Sequence, residues 1–179
     1  MHHYIFLIYP ALTVLFVIIQ LVVTRKRRTS EYMWAVILTY AILFNIGLAG
    51  LMGFYAHAFM PEQTAAYIGW PAGSPFQFEI ACANLAFGIL GVLCVWLRST
   101  FRLATIIGFS VFLIGAAYGH IQQMELAQNY APGNAGAPLF FDVIAPPILL
   151  ALWVIHYVIA KRGCTRPEPA HHHVEESYR

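Results

Sequence analysis

Histidine and a carboxylate stand 22 residues apart twice in this chain, as His57 with Glu79 and as His120 with Asp142. Imidazole and carboxylate are the ligand types that borderline divalent metals use. Two of each could complete a tetrahedral site or leave open positions for Zn, Cu or Fe. Glu62 and Glu125 are further candidates as outer ligands or as groups at the mouth of such a site. Met124 follows His120 by four residues, which puts both on one helical face and offers Cu(I) a soft donor. The same residues suit a second chemistry. A histidine held against an acid can take a proton from a quinol hydroxyl, because its ordinary pKa of about 6.5 is easily moved. Phe76, Phe78, Tyr118, Phe140 and Phe141 could then flank a quinone ring. The plainer reading is a clamp: each histidine hydrogen-bonds its acid and pins two helices together.

The two pairs belong to a repeat. Tyr55–Glu79 returns as Tyr118–Asp142 at a spacing of 63 residues without a gap. Tyr55, His57, Glu62, Tyr67, Ala72, Gly73, Pro75 and Phe78 reappear as Tyr118, His120, Glu125, Tyr130, Ala135, Gly136, Pro138 and Phe141. Glu79 becomes Asp142. This predicts a shared polar site built from both halves, with Glu79 and Asp142 each about 6 Å below a helix start at ~1.5 Å rise per residue.

The elements that must carry these groups are membrane helices. Of 179 residues, 60% are apolar and only 10% charged, with a mean hydropathy of +0.66. Soluble domains carry roughly 25% charge. The apolar residues fall in five blocks, near 3–24, 32–59, 76–97, 102–123 and 139–160. Each is close to or above the ~20 residues a helix needs to cross a bilayer. Basic residues then set the orientation. Arg25, Lys26, Arg27 and Arg28, then Arg98 and Arg102, then Lys161, Arg162 and Arg166 all fall on one side, while the stretches 60–75 and 124–138 hold no Lys or Arg. By the positive-inside rule, the N-terminus and both of those loops face outward and the tail is cytoplasmic. The first block carries its charge after the apolar run, the reverse of a signal peptide, so it reads as a retained helix.

The expected architecture is therefore an all-α membrane protein of five transmembrane helices within a single bundle domain, 1–162. Two tandem helical hairpins, about 31–98 and 99–161, pair helices two with three and four with five. Units of two spans share one orientation, which predicts a pseudo-two-fold axis along the membrane normal. An extra N-terminal helix stands outside the repeat, and residues 163–179 read as a disordered tail. Ser74-Pro75-Phe76-Gln77 predicts a capping box at the start of helix three. Pro146 and Pro147 predict a kink just below Asp142. Gln20, Asn45 and Asn84 read as hydrogen bonds between spans. Met1-His2-His3 and His171-His172-His173 offer imidazoles outside the bundle.

Nothing in the chain suits nucleotide hydrolysis, serine hydrolysis or nucleic-acid binding: there is no Walker loop, no GxSxG and no basic patch beyond the retained loops. Cys82, Cys94 and Cys164 form no CxxC pattern. The segments Ile68-Gly-Trp-Pro-Ala-Gly-Ser-Pro-Phe-Gln-Phe-Glu79, Arg102-Leu-Ala-Thr-Ile-Ile-Gly108, Gly119-His-Ile-Gln-Gln-Met124 and Ala131-Pro-Gly-Asn-Ala-Gly136 resemble an uncharacterised family of small bacterial and archaeal multi-pass membrane proteins. The resemblance runs from about residue 40 to 150 and implies a prokaryotic inner (plasma) membrane; it brings no reaction with it. The expected function is divalent-metal binding at an outward His/carboxylate site, serving a membrane redox or transport step. The alternatives are a structural or accessory subunit and a proton or quinol site. The expected partners are the lipid bilayer and a membrane protein or second copy of the chain.

Overall fold

In a bilayer every backbone N–H and C=O must be satisfied within the protein, and a long apolar segment does this by becoming a helix. The computed structural model describes residues 5–27 and 29–164, and all the regular structure among them is helical. The elements are α1 (Ile5–Val23), α2 (Ser30–Ile42), a π-helical stretch (Leu43–Leu48), α3 (Ala49–Phe59), α4 (Pro61–Ile68), α5 (Phe76–Leu93), α6 (Thr100–Ala127), α7 (Pro132–Ala135) and α8 (Ala137–Cys164). Five segments are long and apolar enough to cross a membrane: Phe6–Val23, Ser30–Phe59, Phe76–Leu93, Thr100–Ala127 and Pro132–Gly163. The protein is an integral membrane helical bundle. His2, His3, Arg166 and His171-His172-His173 lie outside the described residues, as does most of the stretch read as a tail, whose Gly163 and Cys164 instead continue α8.

The second span is one apolar block in the sequence and three elements in space: α2, the π stretch and α3. Thr29 starts it, its hydroxyl accepting from the Tyr32 amide at 3.1 Å. The π stretch inserts its extra residue midway along the span. Asn45, within it, donates to Thr13 on α1 at 3.0 Å. Tyr40 donates to Gln20 at 2.7 Å, so α1 is held along α2 by polar side chains as well as by Phe16 against Phe44. Asn84 instead donates to Ile80 in its own helix.

Each hairpin is closed differently. In the first, the π stretch and α3 meet α5 through glycine. A Cβ on Gly50 would stand 2.6 Å from the Gly88 nitrogen, and one on Gly91 would collide with the Gly47 backbone. Small residues let two membrane helices touch backbone to backbone, which replaces the hydrophobic driving force that lipid cannot supply. In the second, α6 meets α8 through larger side chains. Ile106, Phe109, Leu113, Ala145 and Leu149 join Leu38, Ile42 and Ile46 of the second span in a single buried cluster.

Two ends follow. The basic end holds Arg25, Lys26, Arg98, Arg102, Lys161 and Arg162; the capped end holds α4 and α7, which pack on one another. Arg102 is only 3% exposed. Its Nε donates to the Cys94 carbonyl at 2.9 Å, closing the C-terminus of α5, and an Nη donates to Thr39 at 2.8 Å. A residue expected to be a loop cation is thus a tie between the hairpins. One local expectation is corrected. The start of α5 has no side-chain cap: the Ser74 carbonyl, not its hydroxyl, accepts from the Gln77 amide at 3.1 Å, and the Gln77 side chain turns away to donate to the Pro61 carbonyl at 2.8 Å. Pro146 and Pro147 lie within α8, and the Pro146 ring is fully buried.

Candidate functional site

His120 sits inside α6, one and a half to two turns before that helix ends. The chain leaves α6 through Gln128 in the left-handed region (φ 52), turns back, and re-enters α7 with Pro132 in its first turn. That reversal lays Asn134, fully buried, against the side of His120. The Asn134 amide nitrogen donates to the His120 carbonyl at 3.1 Å and the Asn129 carbonyl at 2.8 Å. Both acceptors are carbonyls, so the amide can point only one way, and its oxygen faces His120 Nδ1 at 2.8 Å. An amide oxygen only accepts; Nδ1 must therefore carry a hydrogen.

The other ring nitrogen faces Asp142. Nε2 lies 3.6 Å from Asp142 Oδ2, within ion-pair range and beyond a short hydrogen bond. Asp142 is 7% exposed. With Nδ1–H committed to Asn134, a neutral ring offers Asp142 a lone pair. A proton on either partner turns the Nε2–Asp142 contact from a meeting of two acceptors into an attraction, and burial makes a carboxylate left without such a partner costly.

The repeat partner is arranged otherwise. His57 lies in the last turn of α3, but the chain breaks at Met60 and starts α4 at once, where the second half simply continues α6. Glu79 ends up exposed and makes no hydrogen bond or ion pair among the described residues. His57 Nδ1 is buried without a hydrogen-bond partner. It borders a depression of about 300 Å³ that Glu62, Ser74 and Gln77 also line. Glu125 is exposed and Met124 half-buried. Of the four principal candidates the structure brings together His120 and Asp142. Among the described residues no three His, Cys, Asp or Glu side chains gather around a point a metal ion could occupy. Zn, Cu or Fe would find two protein donors at the His120–Asp142 pair.

The two caps are joined. Asn129 donates to the Ile68 carbonyl at 3.0 Å and the Gly69 carbonyl at 3.3 Å, at the C-terminus of α4. Gly69 takes the left-handed φ of 79° that ends that helix. Gly133 lies so close on Tyr67 that a Cβ there would stand 2.6 Å from the ring. Burial in this cap pushes the Tyr67 phenol above its ordinary range. Asn134 was not singled out by sequence reasoning. The available signal was that Asn134 stands where the first unit has Pro71, a polar departure inside a matched stretch.

A family model described as a family of unknown function, DUF6790, matches residues 3–162. The chain belongs to that family. No curated protein and no solved structure matches it. For this DUF6790 member the chemistry must be argued from the site itself.

Proposed function

We propose that this integral membrane protein holds one exchangeable proton on the His120–Asp142 pair at its capped end, and offers it to a membrane-dissolved ligand with a weakly acidic hydroxyl, of the quinol class. The observation that carries this reading is the Asn134 amide. Because its nitrogen is engaged by two carbonyls, it fixes the His120 tautomer and leaves Nε2 and Asp142 to share a proton. A histidine held against an acid is suited to taking up and releasing a proton, and ionisable groups within membrane spans tend to be functional. The pair acts as acceptor when the ligand hydroxyl ionises and as donor when it is reprotonated.

The test is a ¹⁵N-histidine NMR titration of the full chain in lipid nanodiscs. One ring should titrate with Nδ1 protonated throughout and Nε2 changing. The titration should vanish in His120→Gln, shift in Asp142→Asn, and persist in His57→Gln and Glu79→Gln. A His120 ring whose Nε2 is indifferent to Asp142→Asn would overturn the proposal.

A second reading has its own observation. Asn134 ties the backbone of α6 to the chain that follows it, and Asn129 carries the tie on to α4. As a clamp, the network would serve stability alone, and Asp142→Asn would alter unfolding without altering the histidine titration.

A further inference from the structure

We infer that Asn129 is a positioning residue for the His120–Asp142 pair, a role that rests on the proton reading above, and that it works through α4 of the other hairpin. An α-helix leaves its last carbonyls without donors of its own. Where α4 turns off at Gly69, the Ile68 and Gly69 carbonyls take a donor from across the bundle: Asn129 Nδ2 lies 3.0 and 3.3 Å from them. The Asn129 side-chain oxygen accepts from the Ala131 amide at 3.1 Å. With carbonyls on its nitrogen and an N–H on its oxygen, this amide has one orientation, as that of Asn134 does. Asn129 then places Asn134 from two directions. Its own carbonyl accepts from Asn134 Nδ2 at 2.8 Å, and the Ala131 carbonyl that it helps to aim accepts from the Asn134 backbone N–H at 2.9 Å. Asn134 Oδ1 meets His120 Nδ1 at 2.8 Å.

α4 can serve as the support because the first hairpin holds it independently. Thr64 donates to the Ala56 carbonyl of α3 at 2.8 Å, and Gln77 of α5 donates to the Pro61 carbonyl at 2.8 Å. Ala65 and Ile68 are buried. The contact has no slack, since a Cβ on Gly69 would stand 2.5 Å from Asn129 Oδ1. The support runs one way. Asn129 and Asn134 stand where the first unit has Ala66 and Pro71, which have no side-chain amide to offer His57. A hydrogen bond weakens steeply as its geometry departs from the ideal. A displaced Asn129 therefore draws the Asn134 oxygen off Nδ1, and a neutral His120 ring is free to carry its hydrogen on Nε2. That tautomer faces Asp142 with a donor in place of an acceptor, which is the property the proton reading turns on.

The experiment reads the tautomer of the neutral His120 ring by ¹⁵N NMR of the full chain in lipid nanodiscs, at a pH above its titration. Asn129→Ser keeps an oxygen for the Ala131 amide and loses the reach to α4. Gly69→Ala disturbs the same contact from the other hairpin and changes no residue of α6, α7 or α8. If the left-handed turn does not tolerate alanine, Gly69→Asn makes the same collision in a residue that accepts that turn. Asn45→Ser is the comparison, because it cuts an amide tie of the same kind, to Thr13 on α1. Asn129→Ser and the Gly69 variant should each raise the Nε2–H tautomer of His120 about fivefold, the weight of one ordinary hydrogen bond. Asn45→Ser should leave it unchanged. A tautomer unmoved by Asn129→Ser would overturn the role of Asn129, and one unmoved by the Gly69 variant would overturn that of α4. An equal rise in all three would mean general loosening and overturn both. The proton reading is judged separately, by the response of Nε2 to Asp142→Asn, so either can fail without the other.

Discussion

The two hairpins share eight residues across a matched stretch and solve opposite problems. The first is closed by backbone: Gly47 and Gly50 against Gly88 and Gly91 leave no room for a side chain. Its histidine is left beside a cavity, and its acid faces outward. The second is closed by side chains, and α6 carries no close glycine contact at Gly115 or Gly119. There the histidine and acid meet, and an asparagine absent from the first unit orients them. The difference teaches that matched residues need not make matched sites. What surrounds a His–acid pair depends on where the helix carrying the histidine stops, and α3 stops at Phe59 while α6 runs on to Ala127.

Several substitutions would break or sharpen this contrast. The largest effect is expected at the glycine seam. Gly50→Leu drives a side chain into the backbone of Gly88 and should cost about 3 kcal/mol, the upper part of the overpacking range. Gly115→Leu, with nothing within 4 Å of a Cβ, should stay within about 0.5 kcal/mol. Reversible unfolding in mixed micelles measures both, and equal losses would remove the seam as a distinction between the hairpins.

Next comes Asn134→Ala, which strands the His120 Nδ1–H and two carbonyls in a buried place and should cost about 2–3 kcal/mol. Pro71→Ala, at the corresponding exposed position of the first unit, should be within about 0.5 kcal/mol of the parent. Arg102→Lys tests the tie between hairpins. A point-like ammonium cannot reach both the Cys94 carbonyl and Thr39 as the planar fork does, and a loss of about 1–2 kcal/mol is expected. A neutral result would mean that core packing alone joins the halves. A smaller loss is assigned to Asp142→Asn, about 1 kcal/mol or less, because an amide N–H can donate to His120 Nε2 in place of a proton shared with the acid. Glu79→Gln should change neither unfolding nor any histidine titration. A titration change there as large as that of Asp142→Asn would restore the expectation of equivalent pairs.

Much of this was legible in the chain. Five apolar runs of bilayer length gave the helices, because no other single-segment form satisfies a backbone in lipid. His120 and Asp142 stood out because ionisable groups are scarce in those runs. Asn45 and Gln20 were recognisable as polar ties between spans. Arg102 was not, since a cation at the edge of an apolar block reads equally as a loop residue or as a buried cap. The capping box at Ser74 failed for a local reason: Gln77 found a better-placed carbonyl on Pro61 than the amide expected of it. The π stretch left no trace, because one inserted residue does not disturb the apolar character of the span.

By itself the sequence determined the membrane-spanning helical class, the lengths of the spans and the short list of residues able to hold a proton or an ion. Those follow from composition and from the solvent the chain must live in. Only the tertiary structure decided that one His–acid pair meets and the other does not. Helix ends are set by competition among weak local signals, at Met60 and Gln128 here, and each end fixes which side chains can reach across the bundle. A hydrogen bond needs its partners placed to within a few tenths of an ångström. A repeat in sequence carries residue types forward; it does not carry that placement.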